Sequence, residues 1–196
     1  MGLKVTYSKN INEVDMFESS SIQSRVDDFH QAFMDENIKM VIASDGGWTC
    51  NQMLRYIDWD IVRDHPKIFC GFSDITALDN AIFAKTGLVT YSAPNFGHFG
   101  KKIKVEPSLE SFKSCLFSDE PFEVEPSKEW SDDKWYKDQD NRTFMPNGGY
   151  FVINEGEASG TSIGGNQCTV NLLQGTEYMP DLIDSVLFLE DDNEVQ

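Results

Sequence analysis

Short apolar runs alternate with amphipathic stretches along the first part of the chain. Between residues 19 and 35, apolar side chains recur every three or four positions, at Ile22, Val26, Phe29 and Phe33. This spacing predicts an amphipathic helix, with serines 19–21 as candidates for its N-cap. Short continuous apolar runs, such as KMVIAS at 39–44 and KIFCGF at 67–72, are typical of strands buried on both faces of a sheet.

Strand and helix patterns alternate about five times before residue 120. The predicted strands also include LKVTYS at 3–8 and LVTYS at 88–92, and SLESFKSCLFSD at 108–119 predicts a further helix. Gly87 is predicted to end the helix that follows KIFCGF. Such alternation indicates an α/β fold with a Rossmann- or flavodoxin-like parallel sheet over residues 1–120. Sites in these folds form at the carboxyl ends of the strands.

The character of the chain changes after residue 120. Residues 121–149 are polar and rich in proline and aromatic residues, which predicts a linker or long loop. Trp130, Trp135 and Tyr136 either pack this segment onto a domain or offer a flat surface on which a ligand ring stacks. Residues 150–196 then begin a second domain, in which SVLFLEDD at 185–192 predicts a strand.

Charge and cysteine content limit the possible partners. Asp and Glu number 33 and Lys and Arg 16, so the formal net charge is −17 at pH 7. This balance argues against nucleic acid and anionic membrane surfaces as partners. No apolar stretch is long enough to span a membrane. The four cysteines form no C-x-x-C pair and none lies near a histidine at metal-ligand spacing, which predicts separate reduced thiols in a cytoplasmic protein and no metal site.

The bend in GFSD is the first candidate for chemistry. Ser73 follows a predicted strand and precedes a predicted helix, with Gly71 two residues earlier and Ile75 where a nucleophile elbow usually has a second glycine. Ser73 is therefore either a nucleophile exposed at the top of a sheet or a helix cap. The paired Gly46 and Gly47 of DGGW, after the preceding strand, either donate N–H groups to a ligand or form an ordinary turn.

Candidates for the acid and the base are less specific. Glu190, Asp191 and Asp192 follow a strand, where a carboxylate can orient a histidine or simply face solvent. Of the histidines at 30, 65 and 98, only His98 lies in a loop after a strand, so it is the only candidate for a base within the chain.

In combination, these motifs are more specific. SDGGW, GFSDITALDNAIFAKTGLVTYSAPNF, GTSIGGNQCTVNLLQGT and SVLFLEDD occur in this order. The chain resembles the LD-carboxypeptidase family of serine peptidases over nearly its whole length. The aromatic segment PSKEWSDDKWYKDQDNRTF resembles the microcin C self-immunity branch of that family. The resemblance implies a Rossmann-like N-terminal domain followed by a β-rich C-terminal domain, no cofactor, and a possible homodimer.

The resemblance also implies roles for individual residues. Ser73 would be the nucleophile and Glu190 the acidic member of a catalytic triad. Backbone N–H groups of Gly47 and Asp74 would bind the oxyanion. The expected substrate contacts are Gly46, Trp48, Trp135 and Asn166. The substrate would be a murein L,D-peptide or a microcin C-like aminoacyl nucleotide.

Departures from the family pattern qualify this expectation. The histidine of the family lies well beyond the strand that ends at Glu190, and this chain ends at Gln196. Residue 1 also falls on an internal position of the family pattern, after its first strand. Because a serine hydroxyl needs a base, we expect a chain truncated at both ends and inactive as it stands. The alternative is a non-catalytic remnant or a ligand-binding or interaction module.

Overall fold

Three parallel strands form the sheet that organises the first part of the protein. The computed structural model describes residues 2–16 and 18–191. It contains β1 (Met40–Ile42), β2 (Ile68–Gly71) and β3 (Tyr91–Ser92), hydrogen-bonded in that order. In the parallel register, Val41 lies opposite Phe69 and Cys70 lies opposite Tyr91. The parallel sheet predicted from the apolar runs is confirmed.

Helices connect these strands, as the alternating pattern predicts. They are α1 (Ile22–Met34), a 3-10 helix (Cys50–Tyr56), α2 (Trp59–Asp64), a 3-10 turn (Ser73–Ile75) and α3 (Thr76–Thr86). The Ser21 side chain caps α1 by accepting a hydrogen bond from the Ser24 N–H. The C-terminal end of α3 is formed by Gly87, which has φ +75°, a left-handed conformation that glycine adopts without strain.

An aromatic cluster holds α1 against the sheet. The rings of Phe29 and Phe33 lie 4.7 Å apart, and Phe69 of β2 lies 5.9 Å from Phe29. All three side chains are buried. The periodic positions Ile22, Val26, Phe29 and Phe33 therefore form the face of α1 that packs into the core.

A second pair of strands follows later in the chain. β6 (Thr161–Asn166) and β7 (Ser185–Glu190) are parallel, with α5 (Gln167–Leu173) between them. β6 contacts α3, and the Asn80 side chain of α3 donates a 2.8 Å hydrogen bond to the carbonyl of Gly164. The strand predicted at 185–192 is confirmed as far as Glu190, and Asp192 lies outside the described residues.

Contacts divide the chain into two compact units. The first is Met1–Asn95 with Ser159–Gln196, and the second is Phe96–Ala158. The second unit contains a 3-10 helix (Phe96–Gly100), α4 (Glu106–Leu116), and an antiparallel pair of β4 (Glu129–Trp130) and β5 (Met145–Pro146). Its buried Phe112 packs edge-on against Phe99. The domain limits at 120 and 150 stay a prediction.

One predicted strand is wrong. Residues 3–8 are irregular, and Leu3, Val5 and Tyr7 are at least half exposed. The alternating pattern is present, but a strand needs a neighbouring strand for its backbone hydrogen bonds. Within the described chain, β1 pairs only with β2. The remaining elements form the predicted α/β, Rossmann-like sheet followed by a further β-containing segment, and no helix among the described residues is long and apolar enough to cross a membrane.

Candidate active site

Ser73 lies in a strained turn between β2 and α3. Its φ is +64°, which is uncommon for a residue with a side chain and typical of functional turns. The turn is tight, because a Cβ atom at Gly71 would lie only 2.7 Å from Ile75 Cγ2 and 3.1 Å from Ala43 Cβ. Neither the 3-10 turn nor α3 has a side-chain cap, so Ser73 does not act as the helix cap that the sequence left open.

Gly46, Ser73 and Asn95 follow the three strands of the sheet in turn. Since the strands are parallel and adjacent, their carboxyl ends lie side by side. A Cβ atom at Gly46 would lie 3.3 Å from Ser73 Oγ and 3.7 Å from Asn95 Nδ2. The absence of a side chain at Gly46 therefore leaves the face beside the serine hydroxyl open.

Asn95, at the carboxyl end of the sheet, is a residue of the candidate site that the sequence patterns missed. Its side chain is only 2% exposed, and its Oδ1 accepts a 3.2 Å hydrogen bond from the N–H of Phe72, the residue before the serine. Its Nδ2 is buried and has no hydrogen-bond partner in the described part of the chain. The sequence clue was the position of Asn95 just after LVTYS at 88–92, the fourth predicted strand.

Asp74 connects the serine turn to the DGGW loop. Its Oδ2 accepts 2.8 Å hydrogen bonds from the backbone N–H groups of Thr49 and Cys50, and so caps the 3-10 helix that follows the loop. Burial raises the pKa of the Asp74 carboxyl, although these two N–H groups lower it. The side chain thus holds Gly47 close to the turn, since a Cβ at Gly47 would lie 3.5 Å from Asp74 Oδ2.

Two backbone N–H groups at the carboxyl end of the sheet have no hydrogen-bond acceptor among the described residues. Within residues 2–16 and 18–191, the N–H groups of Gly47 and Asp74 donate to no protein acceptor. Gly47 has φ +151°, a conformation that side chains disfavour. Unused N–H groups beside a serine hydroxyl have the chemistry of an oxyanion hole.

Asn166 and Glu190 lie opposite each other at the carboxyl ends of β6 and β7. The Asn166 N–H donates a 3.0 Å hydrogen bond to Thr76 Oγ1, which lies three residues after Ser73. The Asn166 Oδ1 is occupied as the cap of α5, because it accepts hydrogen bonds from the N–H and the hydroxyl of Thr169. Only the Nδ2 of Asn166 is therefore left for a substrate. The Glu190 side chain is exposed at the end of β7.

The predicted aromatic contacts lie in different units. Trp48 belongs to the first unit, in the DGGW loop, and is 69% exposed. Trp135 belongs to the second unit, where its ring lies edge-on to Tyr136 and Lys101 Nζ lies 5.5 Å from its centre. Both have an aromatic surface that a ligand ring could contact.

Each of two histidines has a partner other than Ser73. His30 Nε2 accepts a 2.9 Å hydrogen bond from the Asp58 N–H, and His98 Nε2 lies 3.1 Å from Ser108 Oγ. Burial, Lys101 and Arg142 lower the pKa of His98 to about 4. No histidine of the described residues is hydrogen-bonded to Ser73. The same residues contain no group of three or more His, Cys, Asp or Glu side chains placed to hold a metal.

Comparison with known families gives two matches. The model of the LD-carboxypeptidase N-terminal domain matches residues 1–93, and the model of the LD-carboxypeptidase C-terminal domain matches residues 159–196. The first match contains Gly46, Gly47 and Ser73, and the second contains Asn166 and Glu190. The site assembled above thus draws on both matched regions.

Similar proteins come from several bacteria. The protein named "Putative carboxypeptidase YocD" from Bacillus subtilis (strain 168) is 55% identical over 98% of this chain and 59% of its own length. The "Probable murein peptide carboxypeptidase" of the same organism is 29% identical over 99% of this chain and 55% of its own length. This chain therefore spans little more than half the length of these relatives.

Two solved structures are also similar. The crystal structure of an MccF-like protein from Bacillus anthracis str. Ames is 55% identical, with a TM-score of 0.96 over 97% of this chain and 58% of that one. The structure of MccF in complex with glutamyl sulfamoyl guanosine is 29% identical, with a TM-score of 0.83 over 94% of this chain and 57% of that one.

Proposed function

Because the chain belongs to the LD-carboxypeptidase family of serine peptidases, in its branch of MccF-like proteins, we propose that Ser73 is the nucleophile of an amide or peptide hydrolase. The observation that carries this proposal is the strained φ of Ser73 at the carboxyl end of β2, where Gly46 leaves its hydroxyl open. Strain in a strand-to-helix turn is what exposes a nucleophilic serine at the top of a sheet.

The proposed reaction proceeds through an acyl-enzyme. Ser73 Oγ attacks the carbonyl carbon of the scissile amide, and its proton passes to a base. The tetrahedral oxyanion is held by the N–H groups of Gly47 and Asp74, which have no other acceptor in the described chain. Collapse breaks the C–N bond, and the amine leaves with the proton. Water then hydrolyses the ester and restores Ser73.

The base in this scheme is a histidine held by Glu190. Among the described residues no histidine is hydrogen-bonded to Ser73. We therefore propose that residues 2–191 supply the nucleophile, the oxyanion donors and the acid, and that the 196-residue chain alone turns over slowly at most. Loss of one triad member leaves roughly 10³–10⁴-fold catalysis over water in well-studied serine proteases.

The proposed substrates are small amides with an amino-acid portion. MccF has been crystallised with glutamyl sulfamoyl guanosine, and another relative is named as a murein peptide carboxypeptidase. Trp48 in the first unit has an exposed ring and Trp135 in the second has a half-buried one, and a ring of either kind can stack on a purine, which favours an aminoacyl nucleotide over a murein L,D-peptide. The Nδ2 of Asn166 and the backbone of Gly46 are proposed as further contacts.

Binding and turnover test this proposal separately. Calorimetry with aspartyl sulfamoyl adenosine and with a D-alanine-ended murein tetrapeptide measures which substrate binds, without any need for a base. Turnover is then measured with and without added imidazole, which can replace a missing histidine side chain. We expect imidazole-dependent release of the amino acid that disappears in Ser73→Ala and persists in Ser44→Ala, an exposed serine that follows β1. Release that survives Ser73→Ala would contradict the assignment of the nucleophile.

A ligand-binding module without turnover is the second candidate function, because no described histidine is hydrogen-bonded to Ser73. It predicts the same affinity for the sulfamoyl nucleotide and no imidazole-dependent release at any concentration.

A further inference from the structure

Three buried polar side chains connect the serine turn to the end of β6. They are Thr76 and Asn80 of α3 and Asn166, which ends β6, and each is at most 9% exposed. All three belong to the first unit. Burying a polar group is costly unless it is hydrogen-bonded, and a connected buried network rigidifies the elements that it joins.

Hydrogen bonds from this network fasten β6 to the first turns of α3. The N–H of Asn166 donates to Thr76 Oγ1 at 3.0 Å. The Nδ2 of Asn80 donates to the carbonyl oxygens of Gly164 and Thr76, at 2.8 Å in each case. Because Thr76 lies only three residues after Ser73, the end of β6 is fixed relative to the serine turn.

The two glycines of TSIGGN let β6 approach both of its neighbours closely. A Cβ atom at Gly164 would overlap the carbonyl oxygen of Phe188 on β7, and one at Gly165 would lie 2.5 Å from Thr76 Oγ1. Both glycines have positive φ values, +145° and +119°. The backbone of β6 is therefore held between α3 on one side and β7 on the other, without a side chain between them.

The parallel pairing of β6 with β7 extends this connection to the proposed acid. In its register, Asn166 lies opposite Glu190. A base held by Glu190 can take the proton of Ser73 only if the carboxylate lies at the correct distance from the serine hydroxyl, because general bases act within hydrogen-bond distance. The contacts from α3 through β6 to β7 run between these two residues.

We propose that Thr76 is a positioning residue of the hydrolase, an inference that rests on the function proposed above. Its hydroxyl holds the end of β6, and thereby Glu190, at a fixed distance from Ser73. Asn80 supports the same contact through its hydrogen bond to β6. Neither Thr76 nor Asn80 is assigned a contact with substrate, so both act on how the base is held.

The imidazole dependence of turnover tests this role in the 196-residue chain. Release of the amino acid from aspartyl sulfamoyl adenosine is measured over a range of imidazole concentrations. We expect Thr76→Val to raise the concentration for half-maximal release about fivefold or more, because valine has the shape of threonine but cannot accept the Asn166 N–H. Substrate affinity in calorimetry should change less than about threefold, because the Asn166 side chain keeps its hydrogen bonds from Thr169.

Matched variants separate positioning from a general loss of stability. Thr76→Ser keeps the hydroxyl, so its half-maximal imidazole concentration should lie within about twofold of that of the unchanged chain. Thr86→Val removes a comparable hydroxyl at the other end of α3, where Thr86 Oγ1 accepts the Leu88 N–H at 3.1 Å, and should leave the imidazole dependence unchanged. If Thr76→Val does not fold, Asn80→Ala replaces it and is expected to raise the imidazole requirement in the same direction.

Hydrogen exchange of the Asn166 N–H, followed by NMR, measures the contact itself without any turnover. Thr76→Val is expected to accelerate this exchange about fivefold or more relative to Thr76→Ser. The N–H of Ala43, which donates to the carbonyl of Cys70 in the central sheet at 3.0 Å, serves as the reference for any change in global stability.

Three results would overturn the proposal and leave the proposed hydrolase intact. The first is the same imidazole dependence in Thr76→Val and Thr76→Ser. The second is an equal rise of the imidazole requirement in Thr86→Val, which would indicate a general loss of stability. The third is unchanged exchange of the Asn166 N–H in Thr76→Val. Absence of release from the unchanged chain at every imidazole concentration would instead contradict the proposed hydrolase, and the role of Thr76 with it.

Discussion

Gly165 is expected to be among the least replaceable residues of the first unit. It lies on β6 with φ +119°, and an added Cβ atom would lie 2.5 Å from Thr76 Oγ1 and 2.8 Å from Thr76 Cγ2. Thr76 is 1% exposed and its hydroxyl accepts the N–H of Asn166, so it has little room to move. Gly165→Ala should therefore separate β6 from the helix that follows Ser73.

Two costs add in this variant. Forcing a residue with a side chain into a sparsely populated backbone region costs about 1–3 kcal/mol. Overpacking against a buried side chain costs about 1–3 kcal/mol more. We expect Gly165→Ala to lose about 2–6 kcal/mol of unfolding free energy.

Gly87→Ala is the matched control. Gly87 also has a positive φ, +75°, but nothing lies within 4 Å of the added Cβ. Gly87→Ala should therefore lower the free energy of unfolding only by the cost of the strained backbone, roughly 1–2 kcal/mol. Urea unfolding followed by circular dichroism measures both losses. In a thermal melt, an excess of 2 kcal/mol for Gly165→Ala corresponds to a Tm about 4–8 °C lower than that of the control.

A double variant isolates the contact with Thr76. Thr76→Ala removes Oγ1 and Cγ2, the two atoms nearest to the new Cβ, so Thr76→Ala with Gly165→Ala should cost less than the sum of the two single changes. Equal losses in Gly165→Ala and Gly87→Ala, or additive losses in the double variant, would refute the steric explanation.

The other predictions concern buried polar groups. Burial raises the pKa of Asp79 well above 3.8, and neither carboxyl oxygen has a hydrogen-bond partner among the described residues. The folded state thus binds the proton of the Asp79 carboxyl more tightly than the unfolded state does. Ionisation of Asp79 therefore lowers the free energy of unfolding as the pH rises above about 4. Asp79→Asn should therefore stabilise the protein more at pH 7 than at pH 4 in urea unfolding, and an equal effect at both pH values would contradict the shift. Asn95→Ala leaves the Phe72 N–H unpaired and should cost roughly 1 kcal/mol, whereas Asn95→Asp keeps the acceptor and should raise the protection of that N–H from hydrogen exchange relative to Asn95→Ala. Asp74→Ala removes two hydrogen bonds from the start of a 3-10 helix and should cost about 1–2 kcal/mol in the same unfolding assay, with a smaller loss for Asp74→Asn.

Local patterns in the sequence determined most elements of the first unit. The spacing of Phe29 and Phe33 predicted α1, Ser21 lies at its N-cap, and Gly87 ends α3. GFSD was recognisable as a strand, a tight turn and a helix, which made Ser73 a candidate nucleophile. These features depend on residues within one or two turns of each other, and short-range sterics and hydrogen bonding act on that scale.

Long-range pairing decided the rest. The alternation in residues 3–8 did not show whether a neighbouring strand was available, and the structure has none there within the described chain. That Asn95 lies beside Gly46 follows only from the order of the strands. A sequence specifies the polarity and backbone preference of each residue, but which distant residues become neighbours is set by the packing of the whole chain.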